Sequence, residues 1–110
     1  FGQNVNIPDA NFKAYLVAHS EINTNSDTEI QVSEASVFNG AIDCSNLFIS
    51  HLTGIEAFTS LIDLVCNENQ LISLDVSQNI VLEGLSCGNN LITSLNLSLN
   101  TSSCTKSYTS

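Results

Sequence analysis

Residues 61–81 read LIDLVCNENQLISLDVSQNIV, and residues 82–102 read LEGLSCGNNLITSLNLSLNTS. Set one above the other at an offset of 21 residues, they agree at ten positions. Leu61 meets Leu82, Leu64 meets Leu85, Cys66 meets Cys87 and Asn69 meets Asn90. Leu71 meets Ile92, Ser73 meets Ser94, Leu74 meets Leu95 and Val76 meets Leu97. Ser77 meets Ser98 and Asn79 meets Asn100. Most of these positions should point inward or turn the chain, so chance does not account for them. A looser copy of 22 residues begins at Asn39 and supplies Ile42, Cys44, Ile49, Leu52, Ile55 and Phe58.

Each copy approximates L-x-x-L-x-L-x-x-N-x-L, the leucine-rich repeat, with Cys at the third Leu position. Around Leu64 and Cys66 the chain alternates in and out, as a short strand does. Leu64, Cys66, Leu85 and Cys87 should be buried. Asp63, Val65 and Asn67 should point out of the sheet, with Gly84, Ser86 and Gly88 one rung later and Asp43 one rung earlier. Asn69 and Asn90 sit where the chain leaves the strand, and there a buried amide can satisfy turn backbone groups. Rung one has Leu47 at this place, so its turn must close differently. Its Leu52, Ile55 and Phe58 are spaced by three, which suits a helical or 3₁₀ return. The expected fold is a short right-handed α/β solenoid, a parallel sheet of about three rungs under an N-terminal helical cap. The rungs are 39–60, 61–81 and 82–102.

Residues 1–38 lack the period. Pro8–Asp9 opens a helix, with Pro early and an acid near the positive end. Phe12, Tyr15, Leu16 and His19 fall on one face, as a cap over the first rung requires. The stretch Asn23-Thr-Asn-Ser-Asp-Thr-Glu-Ile-Gln-Val-Ser-Glu34 then has the spacing of an EF-hand calcium loop. Its ligands would be Asn23, Asn25, Asp27, the Glu29 carbonyl and Glu34. Two departures weaken it. Asn23 brings no charge to the first position, and Thr28 stands where Gly normally accepts positive φ. The loop is either a weak calcium site or a structural helix–loop–helix with solvated acids.

Composition narrows the function. Eleven acids face two bases, Lys13 and Lys106, for a net charge of −9. Such a chain does not neutralise nucleic-acid phosphates, nor does it favour anionic membranes. No apolar run approaches the ~20 residues of a membrane helix. The sequence has no Met, even at position 1, so a processed or excised chain without its leader is expected.

The segments VNIPDANFKAYL (5–16), INTNSDTEIQVSEA (22–35) and LTGIEAFTSL (52–61), followed by repeats of the form LxCxxNxLxSLDVSxN, resemble secreted leucine-rich repeat proteins of flavobacteria and their relatives. The resemblance covers residue 4 to about 100. It implies export, a place in the secreted fraction or on the bacterial cell surface, a role in protein–protein contact or attachment, and no catalysis. Relatives of this kind often carry a more acidic loop than 23–34.

The expected function is a non-enzymatic protein-interaction module that binds through its sheet face: Asp43, Asp63, Val65, Asn67 and Ser86. The alternatives are a structural cap with the first rungs of a longer adhesin, or a weak calcium-binding module. No nucleophile and base share a motif with His19 or His51. Cys44, Cys66 and Cys87 form one column and should be reduced core fillers, because stacked side chains in a parallel ladder point the same way. Cys104 falls outside the column and is expected to be exposed. Asn96-Leu-Ser98 and Asn100-Thr-Ser102 match the glycosylation sequon but read as repeat turns. Residues 103–110 lack the Leu pattern and read as an irregular tail. That would leave the last strand with an open edge, through which the chain self-associates or from which it frays.

Overall fold

A computed structural model describes residues 3–97 and the backbone of 105–107. Cys104, Asn100 and the rest of the tail lie outside the described residues, as do both sequons beyond Asn96 and Leu97. Two helices, α1 (Ala10–Ala18) and α2 (Val32–Val37), precede six short strands. These are β1 (Ala41–Asp43), β2 (Asp63–Val65), β3 (Ser73–Asp75), β4 (Gly84–Ser86), β5 (Ser94–Asn96) and β6 (Thr105–Ser107).

The repeat becomes a parallel ladder. One sheet has the order β1-β2-β4-β6, and a second has β3-β5. Ile42 pairs with Leu64, and Leu64 with Leu85, so the period seen in the sequence is the register of the sheet. Just past each strand the same bond recurs one rung apart: Cys44 N donates to Val65 O and Cys66 N to Ser86 O, both at 2.8 Å. Ile42, Leu64, Leu85, Cys44, Cys66 and Cys87 are all buried. Rung one returns through a 3₁₀ turn at Ile55–Ala57, as its spacing of three requires.

Two strand assignments differ from the sequence reading. β3 and β5 form a second sheet on the return side of the rungs, each with a single inward residue, Leu74 and Leu95. The tail is not wholly irregular, since Thr105–Ser107 pairs in parallel with β4 and extends the first sheet. Lys106 takes the register position of Leu85 there. A ladder needs backbone groups rather than Leu, and that is why the missing Leu pattern misleads. The edge of β4 expected to be open is therefore covered.

The N-terminal segment packs into the same core through Val5, Ile7, Phe12, Leu16, Ile22 and Ile30. Asp9 fastens it. Asp9 Oδ1 accepts from Asn11 N and Phe12 N, both at 3.0 Å, and so caps α1. Its Oδ2 accepts from Ser50 N at 2.9 Å and His51 N at 3.4 Å in the turn of rung one. Burial pushes the Asp9 carboxyl upward, but backbone N–H groups of Ser50, Phe12, His51 and Asn11 outweigh it and hold the carboxyl below the usual value. Because the folded value lies below the unfolded one, the stabilisation is complete above about pH 4 and fades as pH falls through the folded value. Asp9→Ala should therefore cost about 1–2 kcal/mol at neutral pH. Urea unfolding at neutral pH and near pH 2 checks this. A gap between wild type and variant that stays constant down to the lower pH would rule out the linkage.

Candidate functional site

The sheet face begins with backbone geometry. Strand residues on either side of a buried Leu must point away from the core. Ala41 and Asp43 are exposed at one edge, whereas Asp63, Val65, Gly84 and Ser86 are half-buried between neighbouring strands. The Asp63 carboxylate lies over Gly84, in the space a Cβ would need. Asp43 N donates to the Tyr15 hydroxyl at 3.1 Å, which ties β1 to α1.

The expected face residues thus come together, but not as equals. The Asn67 side chain is committed to the next rung: its Oδ1 accepts from Ser86 Oγ at 2.8 Å and Gly88 N at 2.7 Å. Asn67 N in turn donates to Ser45 Oγ at 3.0 Å. Asn67 therefore fixes register more than it offers contact. Ser45 was not among the expected residues, although aligning position 45 with 67 would have found it. The face as a whole is a row of small and acidic groups.

The loop 23–34 departs from a calcium loop. Asn25, Asp27, Glu29 and Glu34 line one surface recess, but Asn23 does not join them. Asn23 is buried, and its amide donates to Val17 O at 2.9 Å and Asp27 O at 2.7 Å. Positive φ falls at Ser26, at 61°, and not at Thr28, since a β-branched residue resists that conformation. N–H groups occupy the carboxylate oxygens. Asp27 Oδ2 accepts from Asn25 Nδ2 at 3.2 Å and Gln31 Nε2 at 3.0 Å. Glu34 Oε1 accepts from Gln31 N at 2.9 Å, closing the capping box of α2. Glu29 pairs with Lys13 at 2.8 Å. Among the described residues no group of three or more His, Cys, Asp or Glu is placed to hold a metal ion.

Cys44, Cys66 and Cys87 are free thiols. Burial pushes the Cys44 thiol up to about 12, with the Asp43 carboxylate adding to the rise, and burial likewise raises Cys66 and Cys87. Thiolate is scarce at neutral pH, and the column is chemically inert. Thiol titration should find these three groups slow in the native protein and fast in denaturant. Recovery of two disulfides would contradict the stacked register. His19 belongs to a ring cluster, edge-on to Tyr15 at 5.8 Å and to Phe38 at 5.5 Å.

No family model matches the chain. It is 37% identical over 73 residues to internalin J of Listeria monocytogenes serotype 4b (strain F2365), a match covering 66% of this chain and 8% of that protein. Among solved structures it is similar to the functional domain of InlJ from Listeria monocytogenes, described as including a cysteine ladder, with a TM-score of 0.74 and 34% identity. That match covers 94% of this chain and 23% of the other. The structure of the CBM51-2 and INT domains of Clostridium perfringens ZmpB shares the fold, at a TM-score of 0.61 and 21% identity over 81% of this chain and 18% of that one. The likeness is to bacterial leucine-rich repeat proteins, and neither internalin match is flavobacterial. The chain spans less than a quarter of either. No helix among the described residues is long and apolar enough to cross a membrane.

Proposed function

We propose that this chain is a secreted or cell-surface protein-interaction module without enzymatic activity. In this reading it is a short leucine-rich solenoid, capped by its N-terminal helical segment and part of an adhesin-like assembly. The observation that carries the reading is the in-register parallel sheet, whose outer row holds Asp43, Asp63, Val65 and Ser86 with Asn67 bonded across to the next rung. Homology to internalin J supports the same role. The N-terminal motifs at 5–16 and 22–35 favour the narrower flavobacterial type within it. Calcium has the weaker support, since an ion would have to displace the amides on Asp27 and the cap contact of Glu34. If the chain self-associates, β5, at the outer edge of the second sheet, is the strand that offers itself.

The test is a screen of labelled chain against purified extracellular proteins. Binding should appear, and Asp63→Arg with Val65→Arg should weaken it at least tenfold while the circular dichroism spectrum stays unchanged. A screen without a specific binder, or binders indifferent to both substitutions, would count against the sheet face.

A further inference from the structure

The exposed aromatic ring among the described residues is not on the sheet. Phe48 is 71% exposed, while Phe12, Tyr15, Phe38 and Phe58 are buried or half-buried. It lies in the turn that follows β1, one residue before the buried Ile49. Gln70 and Leu91 occupy the same place in the next rungs, each preceding an inward residue, Leu71 and Ile92. Backbone bonds hold these turns side by side: Gln70 N donates to Ile49 O at 2.8 Å and Leu91 N to Leu71 O at 2.9 Å. Residues flanking an inward one point outward, so Ile72 joins the surface from the adjoining column. Leu91 is 69% exposed and Ile72 56%. Phe48 and Leu91 stand two rungs apart, about 10 Å, with Gln70 between them, and Ile72 projects from the middle rung, so the three border one flank.

Phe48 is also held against its preference. Its φ is 56°, a conformation that costs a bulky residue free energy. The neighbours impose it. Leu47 N and Ile49 N, on either side, both donate to Asn69 Oδ1 at 3.0 Å, and Asn11 Nδ2 donates to Phe48 O at 3.3 Å. Glycine would suit this backbone better, and an aliphatic or aromatic side chain here brings the fold nothing through burial. Such strain together with an exposed ring is characteristic of recognition surfaces.

Charge indicates the partner. Glu68, exposed in the turn beside Gln70, is the acid at the middle of the adjoining column, between Asn46 and Asn89. The one base whose side chain is described, Lys13, is already paired with Glu29. A second copy of this chain would meet the patch with the same −9 charge. We infer that the flank formed by Phe48, Ile72 and Leu91, with Glu68 beside it, docks a protein segment that presents apolar side chains between lysines or arginines. The inference rests on the interaction-module reading and adds a second contact surface to the sheet face.

The probe is a short peptide of alternating leucine and lysine, titrated by fluorescence anisotropy, with serine–lysine and leucine–glutamate peptides beside it. The leucine–lysine peptide should bind best. Phe48→Gly and Leu91→Ser should each weaken it at least tenfold, and Glu68→Gln should weaken it and flatten its salt dependence. Ile80→Ser, which removes an exposed side chain from the opposite turn, should change nothing. Phe48→Gly should melt at the same temperature as wild type or higher, so lost binding cannot be ascribed to lost folding. Absence of leucine–lysine binding, equal binding of serine–lysine, or indifference to both Phe48→Gly and Leu91→Ser would overturn the proposal. Loss of binding in Val65→Arg but not in Phe48→Gly would overturn it too, while leaving the sheet-face reading intact.

Discussion

Leu85→Asp is expected to abolish folding, whereas Ser86→Asp, one residue along the same strand, should cost about 1 kcal/mol at most. Leu85 is 2% exposed and pairs with Leu64 in the middle of the ladder. Replacing it forfeits about 2–3 kcal/mol of apolar burial and sets a carboxylate among Leu side chains without a partner. The variant escapes only by protonating or by opening the rung. A small domain has about 5 kcal/mol or little more to lose, so either route exhausts it. Ser86 faces out, and an acid there loses one bond, to Asn67, and remains solvated. Melting temperatures by circular dichroism decide the matter. Similar losses in the two variants would mean that the strand faces are assigned the wrong way round.

The period was legible because a parallel ladder stacks equivalent residues. Whatever chemistry suits one rung suits the next, so Leu64 over Leu85 and Cys66 over Cys87 appear in the sequence as repetition. What escaped are contacts that one segment makes to another across the rungs. Asp9 looks like a simple helix cap, yet its second oxygen closes a turn 41 residues away. Leu47 suggested that the first turn closes differently, yet Asn69 of the following rung closes it as Asn90 closes the next, Oδ1 accepting from Ile49 N and Leu71 N respectively. Strands β3 and β5 are Ser-Leu-Asp and Ser-Leu-Asn, too short for alternation to separate them from coil. β6 was hidden because Lys106 stands in register with Leu85, where the repeat pattern calls for Leu.

The candidate site divides in the same way. The sheet face followed from period-two alternation, but its central residues Asp63, Val65 and Ser86 are half-buried between strands and Gly88, expected to point out, is buried. The loop 23–34 pairs calcium-loop oxygen spacing with local N–H donors. An EF-hand pattern counts oxygen atoms, but Asn25 and Gln31 also bring N–H donors, and these meet Asp27 where a cation would otherwise be needed. Thr28 could not take the turn's positive φ, so Ser26 does, and Asn23 swings inward. The Phe48 flank could have been noticed from its out-in-out alternation. Its strain could not, because φ at Phe48 is set by an amide from the next rung.

That amide gives the second large effect. Asn69→Ala should lower stability by about 3–5 kcal/mol, far more than an average polar substitution. Asn69 is 8% exposed. Its Nδ2 donates to Cys44 O at 3.0 Å and to Cys66 O and Asn67 O, both at 3.2 Å, while its Oδ1 accepts from Leu47 N and Ile49 N. One side chain thus joins two rungs where no strand ladder reaches. Its removal strands several backbone groups that water enters only by prising the rungs apart. Asn69→Asp should rescue little. It keeps an acceptor for Leu47 and Ile49 but turns a buried negative oxygen toward the carbonyls of Cys44 and Cys66. Asn90→Ala should cost less than Asn69→Ala, because Asn90 Oδ1 accepts from Leu71 N alone among the bonds described. Urea midpoints for the three variants give the ranking. A loss below about 1 kcal/mol for Asn69→Ala would show that the turn backbone finds other partners. Even at a temperature where Asn69→Ala stays folded, Phe48 would lose the bonds that hold φ positive on both sides of it. The variant should then bind the leucine–lysine peptide as poorly as Phe48→Gly does, which links the amide that closes the first rung to the surface it holds outward.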